Sequence, residues 1–221
     1  NVLLRSDFCH VWRTDSIRSK LGWFAAKLAL RTKPKLLDQD ELPEAFHDIQ
    51  GPVARLDEQV IEPRSLLEVL SHELDTNLMQ IVEGGVEVSK LDNGWLVQLL
   101  HPDTGEPLDL HTKNVVLSAG RGNSQLRDNF NLTPNETQER PLHMVMVRGE
   151  LPIINGHCID GAKTRVTITT TKDYAGRSVW QIGGQLAEDG INKTPEDLMS
   201  YAAKELQAVL PNVPLDHAEF T

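Results

Sequence analysis

The sequence predicts an α+β protein built mainly of antiparallel sheet. Three observations carry this. Residues 86–111 alternate apolar and polar side chains in three runs separated by turn residues. Two other segments, beginning at Pro63 and at Pro195, repeat apolar residues at helical spacing. Several β-branched runs between His143 and Ile182 read as further strands, the last two joined by the turn Tyr174-Ala175-Gly176-Arg177.

Taken in order, a first helix is expected over 15–31. Thr14 or Asp15 can cap it, Ile17, Leu21, Phe24, Ala25 and Leu28 follow helical spacing, and Lys27 and Arg31 suit its C-terminal end. Residues 33–52 carry Pro34, Pro43 and Pro52 among charges and read as loop with a short helical turn. After an extended piece, Glu58–Ile61, Pro63 opens a second helix at the position where its missing N–H costs nothing. Leu66, Leu67, Leu70 and Leu74 form its apolar stripe. A short strand is expected at 79–83. The meander follows, with Asp92-Asn93-Gly94 supplying left-handed residues for a tight hairpin and 102–107 forming the second turn. It leads into a strand, Val115–Ser118, that ends in Ala119-Gly120. Residues 121–141 read as a polar, proline-broken connector. Strands are then expected at 143–148, 165–171 and 179–182, closed by Gly183-Gly184. Thr194-Pro195-Glu196-Asp197 starts the last helix with a cap, a first-turn proline and two acids, and Pro211 stops it.

Composition narrows the function. The 221 residues suffice for one large domain or two small ones, and 39% hydrophobic with 24% charged residues suits a globular chain. A net charge of −10 argues against a nucleic-acid partner but allows a local basic pocket. Cys9 and Cys158 form no CxxC, so a reducing, cytoplasmic location is expected. No apolar run is long enough for a transmembrane helix. The Asn-x-Thr sequons at Asn131, Asn135 and Asn192 are read as chance matches, since no secretory signal is visible.

Four stretches carry a family resemblance: Glu62-Pro63-Arg64-Ser65-Leu66-Leu67, Gly84-Gly85-Val86-Glu87-Val88, Asn114-Val115-Val116-Leu117-Ser118-Ala119-Gly120 and Val179-Trp180-Gln181-Ile182-Gly183-Gly184. Together they resemble the middle of an FAD-dependent oxidoreductase of the D-amino-acid oxidase and glycerol-3-phosphate dehydrogenase type, the DAO family. The resemblance implies FAD in a longer parent. It also implies oxidation of a small amino acid, hydroxy acid or glycerol phosphate by hydride transfer to the flavin. Two departures are large. No Gly-x-Gly-x-x-Gly is present to hold a pyrophosphate on a helix N-terminus, and the family's C-terminal segment is missing. The chain is therefore expected to be an internal portion. Residues 1–55 and 128–221 would be the substrate or cap domain, and 56–127 part of the FAD domain. Alone it is expected to bind no FAD tightly and to be inactive. An apolar face left uncovered on the 56–127 insert would favour self-association.

The resemblance points to Val86, Ala119 and Gly120 as cofactor-binding residues, through backbone approach rather than side chains. Arg148, Lys163 and Arg165 are the candidate substrate-binding residues, since cations on or beside strands of the substrate sheet can hold a carboxylate or phosphate. His143 and His157 are candidate proton handlers. His157-Cys158 and Cys9-His10 have poor geometry for a metal, and no metal site is expected. No catalytic residue is assigned. A small-molecule substrate is implied, and peripheral attachment of the parent to the inner membrane stays open because some family members couple to quinone. The rival readings are a non-catalytic binding or assembly module on the same scaffold, and an unrelated α+β domain.

Overall fold

The computed structural model describes residues 2–14, 34–74, 76–132, 139–161 and 163–221. The helix expected at 15–31 lies outside the described residues. In chain order the strands are β1 (Leu4–Ser6), β2 (Cys9–Arg13), β3 (Lys35–Leu36), β4 (Val53–Leu56), β5 (Val60–Ile61), β6 (Val86–Leu91), β7 (Gly94–Leu100), β8 (Pro107–Thr112), β9 (Val145–Gly149), β10 (Gly156–Asp160), β11 (Lys163–Lys172), β12 (Ser178–Gly183) and β13 (Glu219–Phe220). The α-helices are α1 (Pro63–Ser71), α2 (Asn123–Asn129), α3 (Gln185–Asp189) and α4 (Pro195–Val209). The chain forms two units, Asn1–Val69 with Pro141–Thr221, and Leu70–Arg140.

The larger unit is built on an eight-stranded sheet of order β13-β9-β12-β11-β10-β2-β4-β3. Only β10 and β2 run parallel; the other neighbours are antiparallel. Alternate residues of its strands (Val145, Val147, Val166, Ile168, Trp180, Ile182, Trp12, Val53) are buried in one core with Leu198, Ala202, Leu206 and Val209 of α4. The spacing of those four helix residues places them on one face. The expected start of α4 is present: Thr194 caps it, its Oγ1 accepting from the Asp197 N–H at 3.2 Å. Trp12 Nε1 donates to the Val209 carbonyl at 3.0 Å and ties β2 to the end of α4.

Besides the two-residue β3 and β13, neither of them expected from the sequence, three strands of this sheet carry no clear sequence signal. All five residues of β2 are buried, so it has no apolar–polar alternation to read. β4 is short. β10 begins at Gly156, where a Cβ would lie 2.0 Å from the His10 carbonyl oxygen, so only glycine lets β10 lie against β2.

The smaller unit contains the expected meander, a three-stranded antiparallel sheet of order β6-β7-β8. The register leaves Asp92-Asn93 as a two-residue turn, with the positive φ on Gly94 rather than on either turn residue. Three expectations are corrected. Residues 79–82 are in no strand, although the Val82 N–H donates to the Leu100 carbonyl at 3.1 Å, and a turn follows at Glu83-Gly84, the Gly85 N–H donating to the Val82 carbonyl at 3.0 Å. Residues 115–118 are in no strand: no described strand lies beside them to complete a ladder, and Val116 is 87% exposed. The connector 121–141 contains α2, followed by Phe130, whose ring packs on Trp95 at 4.9 Å. On α1, Leu67 is 65% and Leu70 63% exposed, and Leu74 just beyond is also exposed, so the expected uncovered apolar stripe is present.

Candidate functional site

The eight-stranded sheet has two chemically different faces. Residues that alternate with the core positions point away from α4. Register aligns them in rows. One row runs Val11–His157–Thr167–Gly183, a second runs Thr169–Gln181–Met146, and a third runs Thr171–Val179–Arg148. Threonine at 167, 169 and 171 opposite Val166 and Ile168 makes this face polar over β11, and Gln181 is exposed on β12.

His157 is the titratable group in the first row. Its Nδ1 lies 3.1 Å from Thr167 Oγ1, its partner across the ladder. Burial holds the imidazole below its ordinary range, and the Glu58 charge partly opposes that. Cys9, two residues from Val11 on the same face of β2, places Sγ 3.8 Å from Glu58 Oε2. Burial first, and then the Glu58 charge and hydrogen bond, push that thiol up to about 11. Both cysteines are free and buried.

The three expected substrate-binding cations are not brought together. Arg165 makes a bidentate pair with Glu205 of α4, Nε to Oε2 at 2.6 Å and Nη2 to Oε1 at 3.1 Å. Arg148 sits in a network with Glu219 (3.3 Å) and Asp173 (3.4 Å), which Arg177 also joins. Lys163 is exposed at the start of β11 and makes no ion pair among the described residues. Arg148 faces Val179, which faces Thr171 near the far end of β11, so it lies about 26 Å along the strands from Lys163. One small anion cannot bridge them.

The expected cofactor residues lie in the smaller unit. Val86 opens β6, and its carbonyl accepts from Asn129 Nδ2 at 3.1 Å. The Ala119 N–H donates to Asn123 Oδ1 at 2.7 Å. Gly120 has φ +55°, and no atom lies within 4 Å of where its Cβ would stand. Ala119 and Gly120 are exposed, so this stretch of backbone is open to close approach. His143 is engaged, with Nδ1 3.2 Å from the Gly190 carbonyl. No three His, Cys, Asp or Glu residues converge on a metal position among the described residues. Thr167, Gln181 and Glu58 escaped sequence reasoning. The alternation of threonine along β11 was the available signal for the first.

No family model matches the chain. It is 32% identical over 99% of its length to a protein of Pseudomonas aeruginosa named "Probable FAD-dependent oxidoreductase PA4991", of which it covers 56%. The crystal structure of the FAD-dependent oxidoreductase PA4991 superposes on the whole chain with a TM-score of 0.77 at 29% identity, over 55% of that structure. The chain is thus similar along its length to a protein named as a probable FAD-dependent oxidoreductase. It spans about half the length of the curated relative it matches. Iminodiacetate oxidase (IdaA) from Chelativorans sp. BNC1 shares the fold, with a TM-score of 0.58 at 13% identity over all of this chain and 60% of that one. Among the described residues, no helix is long and apolar enough to cross a membrane.

Proposed function

We propose that the chain is the middle portion of an FAD-dependent oxidoreductase of the DAO type. The larger unit supplies the substrate-facing sheet, and the smaller unit supplies one wall of the flavin site. In this reading the flavin side, expected at 56–127, corresponds to the smaller unit Leu70–Arg140, and the substrate side, expected at 1–55 and 128–221, to the larger unit. The substrate is a small amino acid, hydroxy acid or glycerol phosphate. The observation that carries the reading is the threonine- and glutamine-bearing face over β10, β11 and β12, on a chain similar along its whole length to a protein named as a probable FAD-dependent oxidoreductase.

The residues present fit part of an FAD site. Gly120, with open space at its Cβ position, and the adjacent exposed Ala119 allow a planar ligand to approach the backbone. No glycine-rich loop is present to hold the pyrophosphate. Val86, Ala119 and Gly120 would therefore line the cofactor without anchoring its charge. Bound flavin supplies the hydride acceptor. The sheet orients the substrate through Thr167, Thr169 and Gln181. Arg148 and Arg165 serve the scaffold in this reading, because their charges are spent on Glu219, Asp173 and Glu205.

The test is the absorbance spectrum of the full-length parent. A flavin band is expected, bleached anaerobically by one of glycine, D-alanine, lactate or sn-glycerol 3-phosphate. Colourless full-length protein would overturn the reading. It would favour a non-catalytic module instead, a reading that draws support from the internal neutralisation of both arginines.

A further inference from the structure

We infer that His157 is the proton acceptor for the substrate, taking a proton on Nε2 from the ammonium or hydroxyl group of the carbon being oxidised. This rests on the oxidoreductase reading above. The step balances: one proton passes from nitrogen or oxygen to Nε2. The hydride leaves carbon with its electron pair for the flavin, and a C=N or C=O bond remains.

Geometry selects this residue. His157 stands on the face away from α4, between Val11 and Thr167 in one row. The row ends at Gly183, against which Met144 Cε packs beside Thr167. Thr167 Oγ1 engages Nδ1 at 3.1 Å and so fixes the ring plane. Nε2 makes no hydrogen bond among the described residues. We assign the Nδ1–H tautomer, with Nδ1 donating to Thr167 Oγ1, because it leaves a lone pair on Nε2.

The neighbours support the role. Among the described residues, charged or titratable groups on this face are Glu58 near Cys9, Cys9 itself and Arg13 on β2, and, two rows away, Arg148 on β9 with its ion-pair partners Glu219 and Asp173, which Arg177 shares. The Cys9 thiol, at about 11, stays protonated near neutrality. Arg13 and Arg148 accept no proton, and Thr169 and Gln181 do not titrate. Burial keeps the His157 ring neutral and ready to accept, and Glu58 lies close enough to favour the imidazolium that forms.

The experiment uses the full-length protein with the four substrates named above. His157→Gln is expected to lower kcat about 100-fold or more with KM changed less than threefold. The acid limb of the kcat/KM profile should vanish and the flavin content should stay equal. Thr167→Val is expected to lower kcat about tenfold, with Thr167→Ser restoring it. ¹⁵N-histidine NMR of the wild type, free of substrate, should show His157 as the Nδ1–H tautomer. An Nε2–H tautomer would overturn the inference without touching the oxidoreductase reading. So would a folded His157→Gln enzyme within about fivefold of wild type. Wild-type protein that binds flavin but is bleached by none of the four overturns both.

Discussion

His10 sets a pH dependence that can be read from its surroundings. It is buried between the rings of Phe8 (5.2 Å) and Phe46 (4.9 Å). Burial, and secondarily the Arg55 charge, hold its pKa below the ordinary 6.5. Below 6.5 the unfolded chain then binds more protons than the folded one. Stability carried by this residue is complete above pH 6.5 and is lost as pH falls toward the folded value. His157, lowered in the same direction, adds to the slope. Urea midpoints measured between pH 7.5 and 5 should fall across that window, and His10→Phe should flatten the curve. The reach of single residues also explains what sequence reasoning overestimated. Arg148 and Arg165 look like available anion ligands because the carboxylates that neutralise them, Glu219 and Glu205, lie 71 and 40 positions away. Nothing local announces such partners.

Elements were legible where one face meets water. The meander and α4 carry their periods openly, and α4 adds its capping sequence. Its cap is testable: Thr194→Ala should cost about 1 kcal/mol, seen as a lower urea midpoint at unchanged slope, by removing the acceptor for the Asp197 N–H. The strands β2, β4 and β10 were illegible because they are short or covered on both sides, and alternation disappears when both faces are dry. The opposite error at 115–118 is equally physical. Val115-Val116-Leu117 has strand composition, but a strand exists only with a neighbour to share its hydrogen bonds. The candidate site shows the same division. The open backbone at Ala119-Gly120 was readable from small residues, whereas the His157–Thr167 pair depends on a register between two strands.

At the scale of the whole molecule, the two units carry unequal apolar investments. The larger unit buries a core around Trp12, Phe46 and Trp180, while α1 leaves a leucine stripe in contact with water. Side chains that contact little contribute little. Leu67→Lys with Leu70→Lys should therefore leave stability within about 0.5 kcal/mol of wild type. The same pair should reduce self-association of the chain in sedimentation velocity. Isolated chain that stays colourless when mixed with FAD would accord with a wall lacking its phosphate anchor. A yellow, tightly bound complex would show that the wall alone suffices.

Gly120 has a consequence in chirality. Its backbone is left-handed at φ +55°, and the surrounding space is empty. The barrier to substitution there is handedness and not volume. An L-alanine would fit the space yet strain the chain by about 1–2 kcal/mol. A D-alanine introduced by semisynthesis would find this dihedral natural and would stiffen the unfolded chain, stabilising the fold by about 1 kcal/mol. The turn would then hold its shape while presenting one methyl group to whatever lies against it, a probe of close approach that no ordinary mutation can supply.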